Sequence, residues 1–172
     1  RTIMNTQKLG KPTDQRMAMV SNLASDLIWH GRIETTLDRA KAASKYAEKC
    51  ITLAVRSYKD VVTEEKVVKD EKGKEKTVTI SKDGPQKLAA RRKLLAMLED
   101  RQEQRVKGEK KAAFKARKGD IQDPLIEKLF EDLAPKYAQR AEEKGTAGGY
   151  TRVIKTSLRR GDNAQLAIAE LV

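Results

Sequence analysis

Two adjacent arginine pairs, Arg91-Arg92 and Arg159-Arg160, are the residues of this chain best equipped for chemistry, and that chemistry is anion recognition. A guanidinium can fork two donors onto one phosphate, whereas a lysine ammonium acts as a point charge. The second pair opens Arg159-Arg160-Gly161-Asp162-Asn163, a turn-rich loop able to follow a groove, and Arg152 and Lys155 lie just before it. Lys110, Lys111 and Lys115 flank Phe114 in a further basic run. Lys8, Lys11, Arg16, Arg32 and Lys41 complete the candidate phosphate contacts in the first quarter of the chain.

Covalent or metal chemistry has little to work with. The single histidine, His30, falls at the end of a helical pattern, and the single cysteine, Cys50, falls on an apolar helical stripe where an inert buried thiol is expected. Together they cannot fill a tetrahedral zinc site. Gly148-Gly149 precedes a strand pattern instead of following one, so it reads as a close turn and not as a phosphate-binding loop. Carboxylates are dispersed among bases, and no acid–base pair stands out. The expectation is a protein that is not an enzyme, with no cofactor, no metal and no small-molecule substrate. The scattered aromatics form neither an RRM-type sheet pattern nor a base-stacking platform, and Trp29, Phe130 and Tyr137 sit at core spacing. Backbone and shape recognition of a folded RNA is the mechanism this composition favours.

Charge supports the same direction. The 172 residues carry 37 Lys and Arg against 25 Asp and Glu, a formal net charge of +12. An excess of that size attracts polyanions. It is unevenly placed: ten bases face five acids in residues 1–58, seven face seven in 59–84, and twelve face five in 85–120. Residues 121–140 hold three bases and four acids, and 141–172 hold five and four. No apolar run approaches the roughly 18 residues that would cross a bilayer, so no membrane role is expected. Arg1 to Lys8 lack the apolar stretch of a signal peptide. One cysteine permits no intrachain disulfide, which fits a reducing cytoplasm.

These bases need elements to hold them. Pro12 and Thr13 offer a helix start, with the Thr13 hydroxyl as a cap. Met17, Val20, Leu23, Ala24, Leu27 and Ile28 give its apolar stripe, and Gly31 ends it. Arg32 to Thr36 reads as a strand. Asp38 opens a second helix with Ala43, Ala47, Cys50, Ile51 and Ala54 inward. Residues 59–84 form a charge-neutral hairpin arm, with β-branched runs at 61–68 and 77–80 and Gly73 at the turn. Pro85 starts a third helix with Leu88, Leu94, Leu95 and Leu98 as its stripe. Residues 101–118 hold eight bases and two glutamates and are expected to be partly helical. Asp123-Pro124 begins a short helix burying Leu125, Ile126, Leu129, Phe130 and Leu133. Tyr150 to Thr156 and Gln165 to Val172 are strands joined by the basic loop. The expected fold class is α+β: one domain over 1–172, several helices on a small mixed sheet with a C-terminal β-hairpin, and insertion-like stretches at 59–84 and 101–118.

The order of short motifs then resembles a known family. Lys8-Leu9-Gly10, Gly31-Arg32-Ile33-Glu34-Thr35-Thr36, Ala40-Lys41, Ile51-Thr52-Leu53-Ala54, Arg91-Arg92, Leu129-Phe130, Gly148-Gly149-Tyr150-Thr151-Arg152, Arg160-Gly161-Asp162-Asn163-Ala164 and Glu170-Leu171-Val172 run in sequence across nearly the whole chain. Together they resemble the bacterial large-subunit ribosomal protein L-seventeen family. That resemblance implies a two-layer α+β fold with insertions at 59–84 and about 101–123, a structural seat on large-subunit ribosomal RNA near the exit of the nascent-chain tunnel, a cytoplasmic location, and ribosomal protein L-thirty-two as a neighbour. Short members of that family lack residues 59–84 and roughly 101–123. The stretch 141–147 is longer than usual, and the tail Arg1 to Gln7 is less basic. The competing class is a free basic nucleic-acid-binding regulator, which would need a short recognition helix with base-reading side chains. No such helix–turn–helix pattern is visible.

Overall fold

A computed structural model describes residues 8–69, 75–119 and 121–172. The expected turn at Gly73 and the tail Arg1 to Gln7 lie outside the described residues.

Helix α1 spans Thr13–His30 and helix α2 spans Leu37–Ser57. They are joined by Gly31 and strand β1, Arg32–Thr36. Gly31 takes φ 77°, and its N–H donates to the Leu27 carbonyl, the left-handed stop that a residue without a Cβ adopts freely. Thr13 is the first helical residue and not a cap. Pro12 holds the cap position, and the Thr13 hydroxyl instead accepts a bond of 3.4 Å from Arg16. The α2 stripe is buried as its spacing predicts, with Ala43, Ala47, Cys50, Ile51 and Ala54 fully inside.

The second layer is a three-stranded sheet in the order β1-β5-β4, where β4 is Thr151–Leu158 and β5 is Gln165–Leu171. Every pairing in it is antiparallel, so the expected mixed sheet is corrected. The C-terminal hairpin makes β4 and β5 antiparallel, and β1 joins the far side of β5 in the same sense. Registers Arg32↔Glu170↔Arg152 and Ile33↔Ala169↔Val153 fix the two faces. Ala167 and Ala169 turn inward and are fully buried. Their small side chains meet the alanine-rich face of α2, which lets helix and sheet approach closely.

Strands β2, Val61–Lys69, and β3, Glu75–Asp83, pair over nine positions as the expected arm. Asp60 lies at the base of the arm. Its carboxylate accepts from the backbone N–H groups of Gln86, at 2.7 Å, and Lys87, at 3.3 Å. It therefore caps helix α3, Pro85–Met97, across the whole hairpin. In α3, Ala90 and Leu94 are buried, and Leu98 follows them inside. Leu88 and Leu95 are 37% and 41% exposed, which corrects the expected four-leucine stripe. Seven residues apart, those two share a different face of the helix from Leu94.

Helix α4, Lys111–Lys118, buries no residue. The expected short helix at Pro124 is one continuous helical stretch running to Lys144. It comprises α5 at Pro124–Lys128, a π-helical turn at Leu129–Leu133, and α6 at Ala134–Lys144. Pro135 explains the wide turn, because it has no N–H and its ring crowds the carbonyl four residues back. The Ala134 N–H accordingly donates to the Leu129 carbonyl, five residues back. Leu125, Leu129, Phe130 and Tyr137 from this stretch close the core against α1, α2 and the sheet.

Candidate nucleic-acid interface

The two arginine pairs divide, and in each pair the structure separates one member from the other. Arg91 sits low on α3 with its side chain 18% exposed. Its Nε donates to Asp83 at 2.5 Å, and its two Nη atoms reach the Glu127 carboxylate at 2.5 and 3.4 Å. The guanidinium also lies 5.3 Å from the centre of the Phe130 ring. Burial alone would lower the Arg91 pKa, but the bonds to Glu127 and Asp83 and their charges outweigh it and raise it. Burial likewise pushes the Asp83 carboxyl up, and the bonds and charges of Arg91 and Lys87 together hold it below its usual value. Arg91 thus ties the hairpin base, α3 and α5 together. Arg92 is exposed with no hydrogen bond or ion pair among the described residues. It is free to meet a phosphate.

In the β4–β5 loop, Arg159 donates to Asp162 through Nε at 2.8 Å and through Nη2 at 2.5 Å. Asp162 also accepts from the Ala164 N–H at 3.3 Å. The backbone closes over the same loop, Arg159 N–H to Ala164 O at 2.9 Å and Asn163 N–H to Arg159 O at 3.0 Å. Asn163 takes φ 56°, a conformation that asparagine tolerates well. The Arg159 bond holds the Asp162 carboxyl far below the usual carboxylate range. The ion pair shapes the turn, and Arg160 stands exposed on it with no partner among the described residues.

The remaining candidates lie in separate places. Arg32 and Arg152 flank Glu170 in register on the outer face of the sheet, and Arg152 lies 3.8 Å from that carboxylate. Lys155 is exposed further along β4. Lys8 is exposed, and the Lys11 N–H donates to the Lys8 carbonyl at 3.1 Å, making a turn just before α1. Arg16 is half-buried on the first turn of α1. Lys110, Lys111 and Lys115 are exposed around α4. Lys41 is exposed too, and it heads a line the candidates omitted. Lys45, Lys49 and Arg56 follow it along the solvent side of α2, all exposed. The i, i+4, i+8 spacing of the three lysines was the available signal, since that interval stacks side chains on one helix face.

Several aromatic residues stabilise the scaffold. Tyr137 and Tyr150 pack with centroids 4.8 Å apart and their planes tilted by 55°, and Arg140 lies over both rings while donating to the carbonyls of Gly148, Gly149 and Val172. That arginine fixes the double-glycine turn, where φ is 95° at Gly148 and 60° at Gly149. Burial pushes the Cys50 thiol up to about 12, against the opposing charge of Lys49. A thiol so held is no nucleophile at neutral pH. Among the described residues, no helix is long and apolar enough to cross a membrane.

Among the described residues, the surface carries unpaired bases on α2, α3, the α4 segment, β4 and the β4–β5 loop. Comparisons with known proteins place the chain in a family. The family model described as ribosomal protein L17 matches residues 19–172. The chain is 35% identical over 166 residues to the large ribosomal subunit protein bL17 of Clostridium botulinum strain Hall, covering 96% of each chain. The proteins of the same name from Clostridium acetobutylicum and Clostridium perfringens strain SM101 are 34% and 35% identical, again over 96% of each chain. These relatives therefore have almost the same length as this chain. The chain belongs to the ribosomal protein L17 family.

Proposed function

We propose that this protein is a structural constituent of the large ribosomal subunit in the bacterial cytoplasm, where it binds and fixes ribosomal RNA without catalysis. The observation that carries the reading is the family match over residues 19–172, shared with relatives named for that subunit. The surface supports it: Arg92, Arg160, Lys41, Lys45, Lys49, Arg56 and Lys155 are exposed bases without an ion pair among the described residues. Such groups neutralise phosphates and release counterions, the main source of affinity for nucleic acid. The chain works as one unit in this reading. The basic segment near 101–123 faces RNA, and the neutral arm at 59–84 projects away from it. Ribosomal protein L-thirty-two is the proposed protein neighbour.

The test is a salt series of binding between the purified full chain and deproteinised large-subunit ribosomal RNA. Affinity should fall steeply and linearly on a log–log plot, with a slope of about −0.7 to −0.9 for each phosphate contacted. A flat profile would refute phosphate binding.

A further inference from the structure

The segment from Arg101 to Lys118 has an internal organisation that its composition does not announce. It contains eight bases and two acids, Glu103 and Glu109. One residue, Arg117, holds both acids. Its Nη1 donates to Glu103, its Nε reaches Glu109 Oε1 at 3.2 Å and its Nη2 reaches Glu109 Oε2 at 3.2 Å. Its Nη2 also contacts the Gln104 carbonyl at 3.4 Å, and its guanidinium lies 5.5 Å from the Phe114 ring centre. Glu109 accepts in turn from the Val106 N–H at 3.1 Å, while its own N–H donates to the Val106 carbonyl at 2.9 Å, around Gly108 at φ 90°.

The ends are tied as well. Arg101 donates to Asp26 at 2.7 Å and to the Asn22 side chain at 2.9 Å, which anchors the segment on α1. Lys118 donates to Gln102 at 2.6 Å. Arg105, Lys107, Lys110, Lys111 and Lys115 are left exposed with no hydrogen bond or ion pair among the described residues.

Helix α4 has eight residues, buries none, and has no acidic residue in its first turn and no side-chain cap. A helix so short is marginal in water on its own. Its packing contributes nothing to the core, so the clasp around Arg117 is what gives the segment its shape.

We infer that Arg117 is a positioning residue for polyanion binding: it sequesters both carboxylates of its segment, so that five bases face the phosphates of a folded RNA with no acid among them. This rests on the RNA-binding reading above and assigns a role to one residue within it. Arginine is required because one planar fork serves two carboxylates and a carbonyl at once, which a lysine point charge cannot do.

The test uses the full chain and deproteinised large-subunit ribosomal RNA, with affinity measured across a salt series. Arg117→Lys leaves net charge unchanged, yet it should release a carboxylate pair toward the phosphates. That cancels about two contacts, so affinity at intermediate salt falls about tenfold and the slope becomes shallower by roughly 1.8. Adding Glu103→Gln and Glu109→Gln to Arg117→Lys should restore affinity to the wild-type level or above it. Lys115→Ala, which removes a free base, should lower the slope by only about 0.9. Thermal midpoints of all variants should match wild type, because the segment lies outside the core. If R117K binds with wild-type affinity and slope, or if the glutamine pair fails to rescue it, the clasp is refuted while the RNA reading stands. If the wild-type chain does not bind this RNA at all, the RNA reading itself falls and the clasp falls with it.

Discussion

Replacing Arg91 with methionine removes a guanidinium that bonds to Asp83 and Glu127 on two different elements. Asp83 keeps a partner, since the Lys87 ammonium lies 2.8 Å away, but Glu127 loses the one ion pair it makes among the described residues. The side chains of Arg91, Asp83 and Glu127 are 18%, 20% and 29% exposed, so the orphaned carboxylate is partly reached by water. The 3–5 kcal/mol expected for breaking a fully buried pair therefore shrinks to about 2 kcal/mol. In a chain of this size that lowers the thermal midpoint by roughly 4–8 °C. Arg92→Met, one residue away and exposed, should move it by less than about 2 °C, since exposed substitutions rarely exceed about 0.5 kcal/mol. RNA affinity should show the opposite ranking, with Arg92→Met making the salt slope shallower by about 0.9 and Arg91→Met leaving it unchanged. Differential scanning calorimetry and salt-dependent filter binding on the same two proteins check both halves. Equal stabilities, or a shallower slope for Arg91→Met, would refute the division of this pair. The sign of the pH dependence also follows. The Asp83 carboxyl is depressed in the folded protein, so its contribution is present above the unfolded carboxylate pKa near 3.9 and is lost as pH falls through the lower folded value. The stability gap between wild type and Arg91→Met should therefore narrow in acid below about pH 4.

Gly84→Ala should destabilise the protein by about 1 kcal/mol, the worth of a helix cap. A Cβ there would lie 2.2 Å from the Asp60 carboxylate that caps α3, and urea titration should find little further loss when Asp60→Ala is added. Arg160→Ala should weaken RNA binding and flatten its salt dependence, as measured in the salt series. Arg159→Ala should instead loosen the loop, read as faster amide exchange at Asn163 and Ala164, whose N–H groups the turn engages. The Cys50 thiol should resist thiol reagents at neutral pH until denaturant unfolds the chain, because burial holds it protonated.

The parts of the fold that were legible in the sequence are those governed by local pattern. The α2 stripe from Ala43 to Ala54, the Gly31 stop and the C-terminal hairpin each follow from spacing or from one residue's conformational freedom. The division of the arginine pairs was not legible. Arg91 meets Glu127, 36 residues away, and Asp83 at the foot of the arm, and no local rule places those carboxylates beside one guanidinium. Asp60 caps a helix that starts 25 residues later for the same reason. Arg159 was closer to readable, since Asp162 lies three residues on, but identical neighbours in an Arg-Arg pair carry no sign of which one turns inward. Leu88 and Leu95 were misplaced because a seven-residue interval satisfies the helical template on either face. The lysine line on α2 is legible from its four-residue spacing, which stacks Lys41, Lys45 and Lys49 on one helix face.

The central claim is that this chain is part of a large ribosomal subunit and stays there by binding its RNA. Sucrose-gradient sedimentation of an extract from the native cell, with the chain followed by antibody at low magnesium so that subunits separate, tests it most directly. The chain should travel with the large-subunit peak, remain there through moderate salt and be stripped as salt is raised further. A chain found at the top of the gradient, or with the small subunit, at every salt concentration would contradict the account.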